Sequence, residues 1–129
     1  MTACLVRVLV GLAGVYTPGD GYTPTHGIRA DGRRYDPNEL AVAMRHVPLG
    51  TRVRICRDRP AGPCVRAVVR DRGPYWRCCP KHGCGAGQTC PLGVYRSIVD
   101  VTPAVARALS IRGMGRVRVE IVGSKLGTR

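Results

Sequence analysis

Residues 3–10, 51–56, 64–70 and 116–122 each place alternate side chains on two faces, and this period of two constrains the fold most strongly. In the last of them, RVRVEIV, valine and isoleucine alternate with arginine and glutamate. Helices need a period near 3.6, so these segments read as strands with one buried face. Tight turns must join them, and the chain carries 17 Gly and 10 Pro. A helical bundle rarely tolerates that many helix breakers. There are 129 residues, enough for one domain with a real core and too few for two.

The charge bounds the partners. Lys and Arg number 21 against 8 Asp and Glu, a formal net charge of +13. With 44% hydrophobic residues the chain is no disordered polycation. The charge is almost all arginine, dispersed without a basic tail. It calls for an anionic partner: a cell-wall polymer, an acidic membrane surface, an acidic protein neighbour, or nucleic acid. Nucleic acid is disfavoured, because one Trp, five Tyr and no Phe provide few stacking platforms. No apolar run is long enough to span a membrane as a helix. The opening MTACLVRVLVGLAGVY carries Arg7 inside its apolar run and makes a poor signal peptide.

Segments 51–56 and 64–70 form a predicted hairpin. Setting Cys56 opposite Cys64 puts Ile55 opposite Val65 and Val53 opposite Ala67, so both apolar sets share one face. That register predicts a Cys56–Cys64 disulfide and sets Arg54 opposite Arg66, a like-charge pair. A second strand is expected over 12–16 and another over 97–101, with a loop over 17–34. Two short helices are expected. Asp36-Pro37 opens the first, with Leu40, Ala43 and Met44 inward. Thr102-Pro103 opens the second, with Val105, Ala106 and Leu109 inward. A weak duplication of turn, helix and basic strand relates residues 35–55 to 99–121 and suits a pseudo-symmetric barrel.

Seven cysteines are dense for this length. Cys78, Cys79, Cys84 and Cys90 fall in one loop, WRCCPKHGCGAGQTCPLG, over residues 76–93. Two disulfides would staple such a loop. Zinc is the alternative, with His82 as a further ligand, although paired CxxC knuckles are absent. Cys4 is left over and, among apolar neighbours, is expected as a buried thiol.

In order, the chain reads ADGRRYDPNELAVAM, VPLGTRVRI, VVRDRGPY, IVDVTPAVARAL and GRVRVEIV. This succession resembles the double-psi β-barrel domain of the rare lipoprotein A (RlpA) family over about residues 11 to 123. The resemblance implies a mainly β fold: a single six-stranded double-psi β-barrel with two short helices, a groove across one side, and the Cys-rich loop as an insertion. It implies a peptidoglycan-directed protein, lytic transglycosylase-like or wall-binding. Asp71 of DRGP is the first candidate acid/base, with Asp36 and Asp100 beside it. Arg70 and Arg72 flank Asp71 in sequence; close in space, they would favour its ionised form. Asp36 also has a simple role as a cap, and Asp100 could only tie a strand to a helix. Arg72, Tyr75, Trp76 and His46 are candidate substrate contacts. The catalytic pattern is incomplete: Arg33 stands where the family carries Glu, and Met44 where it carries His. The alternatives are a non-catalytic structural protein on this barrel, such as a phage tail or virion component, and a nucleic-acid binder. The expected location is extracytoplasmic or in a virion.

Overall fold

A computed structural model describes residues 4–15, 28–73 and 97–124, with side chains at 7–15, 28–73 and 97–121. The expected inserted loop, with Tyr75, Trp76, Cys78, Cys79, His82, Cys84 and Cys90, lies outside the described residues, as does the Cys4 side chain. The elements are β1 (Cys4–Val15), β2 (Ala41–Ala43), β3 (Arg52–Arg57), β4 (Cys64–Asp71), β5 (Val99–Val101), α1 (Pro103–Leu109) and β6 (Met114–Ser124).

The six strands close into a barrel in the order β1-β5-β2-β4-β3-β6. β1 runs parallel to β5, and β4 parallel to β2. β6 is antiparallel to β1 and β3 antiparallel to β4. Exchanging strands one to three with four to six leaves this order unchanged, which is the two-fold pseudo-symmetry expected of a duplicated double-psi barrel. Closure removes most exposed sheet edges without a helical cover.

A six-stranded barrel has a narrow interior, and the residues inside it are small. Ala13, Val42, Val53, Ile55, Val69, Val99, Val101, Val117 and Val119 are all buried. Met44 and Leu109 are the large fillers toward the ends. Each such side chain contributes about 1.5–3 kcal/mol when fully buried. The absence of Phe is therefore a matter of volume.

The β3–β4 hairpin takes the predicted register, with Cys56 opposite Cys64, Ile55 opposite Val65 and Arg54 opposite Arg66. Cys56 and Cys64 are disulfide-bonded. Cys56 occupies an outer row yet is buried, with the bonded Cys64 beside it. The hairpin loop is tight: a Cβ on Gly62 would collide with the Arg57 carbonyl oxygen.

Of the two expected helices only α1 is present among the described residues. The Thr102 hydroxyl accepts from the Val105 N–H, Pro103 occupies the first turn, and Ser110 closes the helix in a left-handed conformation. Val105, Ala106 and Leu109 are its buried residues, as their spacing predicts. The segment after Asp36-Pro37 is instead a turn leading into β2. Asp36 Oδ1 accepts from the Asn38 N–H at 2.9 Å, and the Asp36 carbonyl accepts from the Glu39 N–H. These bonds make a capped turn that never propagates. Val42 pairs with Val69 on one side and Val101 on the other, so this segment closes the barrel between β4 and β5. Sheet pairing overrides the local helix signal. Leu40, expected inward, is 43% exposed for the same reason. The separate strand expected over 12–16 is the continuation of β1.

Candidate active site

The candidate site lies where four strands meet in one row at one end of the barrel. Asp71 of β4 pairs with Ala43 of β2, Ala43 with Asp100 of β5, and Asp100 with Gly14 of β1. The two carboxylate-bearing residues thus lie in one row, one strand apart on either side of Ala43. At ordinary strand spacing their Cα atoms are about 10 Å apart. The residues between and beyond them are small. A Cβ on Gly14 would stand 2.9 Å from Asp100 Oδ1, so glycine provides the room that this carboxylate occupies. A register shift between Val42 and Ala43 re-aims the row at this end.

Asp71 is half-buried and held from two directions. Its Oδ1 accepts from the Ala30 N–H at 2.8 Å and from its neighbour's, Arg72, at 2.8 Å. Its carbonyl accepts from the Met44 N–H at 3.2 Å. Oδ2 makes no hydrogen bond among the described residues. The flanking arginines are occupied elsewhere. The Arg70 Nε donates to Glu39 Oε2 at 3.1 Å, and the Arg72 guanidinium donates to the Val47 carbonyl. Neither guanidinium forms an ion pair with Asp71.

What presents the Ala30 N–H is a charge cluster that the linear pattern does not display. Arg29 is 6% exposed. Its Nε and Nη2 form a fork on Asp31, at 3.1 and 3.0 Å, while Nη1 donates to Glu39. Glu39 in turn holds Arg70 on β4. These residues clamp the 28–34 turn onto the barrel beside Asp71. Burial alone would lower the Arg29 pKa; the two carboxylates outweigh it and leave the guanidinium pKa raised. One local signal for this turn was legible: Asp31-Gly32 is a turn pair, Gly32 is left-handed with φ of 84°, and Ile28 and Arg34 bridge across it.

The other candidates divide. Asp100 is half-buried in the row and accepts from the Ser97 hydroxyl at 3.5 Å. Asp36 lies in the turn before β2, outside the row, and serves that turn. Tyr35 beside it is half-buried, and burial with the Asp36 charge raises its phenol to about 12. His46 is exposed in the bend after β2. Met44, at the position of the expected histidine, is 2% exposed and belongs to the core. Arg33, at the position of the expected glutamate, is exposed, and its N–H donates to Asp31 Oδ1. Among the described residues no group of three His, Cys, Asp or Glu could hold a metal ion, and no helix is long and apolar enough to cross a membrane.

No protein-family model matches the chain. Two curated proteins do. One, from Nostoc sp., is 32% identical over 117 residues, 88% of this chain and 25% of its own length. The other, from Synechocystis sp., is 32% identical over 123 residues, 93% of this chain and 31% of its own length. Both are named probable endolytic peptidoglycan transglycosylase RlpA, and the chain spans about a quarter to a third of their lengths. Over nearly its whole length the chain is thus similar to part of an RlpA protein, and the closed six-stranded barrel with the DRGP aspartate at its rim is consistent with that likeness.

Proposed function

We propose that this domain is peptidoglycan-directed and lytic transglycosylase-like, with Asp71 as its acid/base. The observation that carries the reading is the Asp71 carboxylate: anchored through Oδ1 by two backbone N–H groups, with Oδ2 turned to neither. Backbone donors fix the carboxyl in place without a mobile side chain. Protonated, Oδ2 would deliver its proton to the glycosidic oxygen as the bond from that oxygen to the anomeric carbon breaks. The resulting carboxylate would then take the proton of the sugar's 6-hydroxyl as that oxygen bonds to the anomeric carbon, closing the anhydro ring. One group gives and regains one proton, so the balance closes without water or a second acid.

Asp100 shares the row and Gly14 keeps its space clear, which suits a role in lining the groove. Arg72 and exposed His46 flank the same end of the barrel and suit contacts to substrate, as do Tyr75 and Trp76, which follow Asp71 closely in sequence. With Arg33 and Met44 in place of the expected Glu and His, the chemistry falls on Asp71. Location outside the cytoplasm follows from this reading. The test is incubation with purified sacculi. Wild type should release anhydro-muropeptides, and Asp71→Asn should release none while still pelleting with the sacculi. Pelleting without release from wild type would leave a wall-binding domain and remove catalysis. The absence of both release and pelleting would overturn the reading.

A further inference from the structure

Away from the Asp71 row, the outer face of β3, β4 and β6 gathers arginine. Outward positions hold Arg52 and Arg54 on β3, Arg66 on β4, and Arg116 and Arg118 on β6, all exposed. The hairpin loop adds Arg59. Carboxylates are scarce beside them. Glu120 is shared between Arg54 at 3.0 Å and Arg118 at 3.4 Å, and Asp58 pairs with Arg116 at 3.0 Å. Arg52, Arg59 and Arg66 make no ion pair among the described residues. Arg66 sits directly opposite Arg54, a placement that costs stability unless an anion lies between or above them.

The face is also concave at one end. A hollow of about 620 Å³ lies against the Cys56–Cys64 disulfide, lined by Arg54, Arg57, Arg59 and Arg118 with Asp58 as its acid. Part of its wall is tied in place. The disulfide ties the two strands, and Arg57 is anchored by donating to the Ser110 carbonyl at 2.8 Å. A cation-lined hollow of this kind takes a tetrahedral oxyanion such as phosphate, because guanidinium forks match its oxygens. The arginines beyond it continue the positive field along the strands.

We propose that this hollow and the adjoining arginine face bind a linear phosphodiester polymer attached to the cell wall. A phosphate would seat in the hollow and its neighbours would lie along Arg66 and Arg52. The choice of a polymer without bases rests on the face itself: none of its named positions is aromatic, so it offers charge without a stacking platform. Assigning the polymer to the wall rests on the peptidoglycan-directed reading. The hollow lies by Cys64 at the start of β4 and Asp71 ends that strand, so phosphate in the hollow leaves the Asp71 row open.

The test measures binding of the full chain to poly(glycerol phosphate), to duplex DNA, and to sacculi stripped of anionic polymer, across a salt series. Wild type should bind poly(glycerol phosphate) more tightly than duplex DNA. The double variant R59E/R66E should lose at least about tenfold in affinity for it, and its salt slope should flatten by about 1.4, the value for two lost phosphate contacts. Binding of the variant to stripped sacculi should be unchanged. R59Q/R66Q, which removes charge without reversing it, serves if the first variant fails to fold. Equal affinity of variant and wild type, or tighter binding of duplex DNA, would overturn the proposal. If wild type ignores the polymer but pellets with stripped sacculi, this inference falls and the peptidoglycan reading stands; if it binds neither, both fall.

Discussion

Arg29→Met removes the centre of the clamp beside Asp71 while keeping much of the side-chain volume. The side chains of Arg29, Asp31 and Glu39 are 5%, 14% and 28% exposed, so water screens the cluster poorly. Breaking a buried pair by deleting one partner costs about 3–5 kcal/mol, because the remaining charge is left uncompensated. Two features pull the cost to the low end of that range. Glu39 keeps Arg70, and Asp31 keeps the N–H of Arg33. The expected loss is about 3 kcal/mol, or about 10 °C in Tm for a domain of this size. Urea unfolding should show a lower midpoint with an unchanged slope. Arg29→Lys, which keeps the charge and loses the fork on Asp31, should fall between the two. Amide exchange supplies a local readout: the Ala30 N–H, bonded to Asp71, should lose protection in Arg29→Met beyond the global change. A variant within 0.5 kcal/mol of wild type, with Ala30 still protected, would refute the assignment of the clamp.

Tyr35 gives a pH prediction. Its phenol is raised to about 12 in the fold, whereas an unfolded tyrosine titrates near 10. Between those values the unfolded chain has shed the proton and the folded one retains it, so stability falls as pH rises through that window and is unaffected below it. Tyr35→Phe should flatten that alkaline limb in denaturation curves taken from pH 9 to 12; an unchanged limb would refute the shift. The Cys56–Cys64 bond spans a sequence separation of 8. Loop-closure entropy for a ring that small gives about 2.5 kcal/mol, so C56A/C64S should lose that much in chemical denaturation. No loss would mean that the hairpin is already ordered in the unfolded chain.

Part of the site was legible from the residues alone. Asp71 stood out within DRGP, and the structure puts it at the end of β4, paired with Ala43 of β2. Asp100 was also a candidate, but its place in a row with Asp71 depends on two separate strand pairings across β2. The Arg29–Asp31–Glu39–Arg70 cluster could not be read from the chain. Its members are separated by up to 41 positions in sequence, and nothing about them individually distinguishes them from solvated surface charges.

The sequence by itself determined β3, β4 and β6, the hairpin register and the helix at Thr102-Pro103. Alternation fixes which face is buried, a one-residue slip would invert that face, and a helix cap is a local bond between near neighbours. Tertiary structure decided the segment after Asp36. Its cap and proline favour a helix locally, but a barrel of this topology closes only if Ala41–Ala43 hydrogen-bonds to β4 and β5 on either side. Closure also decided the site, since strands from three distant parts of the chain must meet before Asp71, Asp100 and Gly14 share one row.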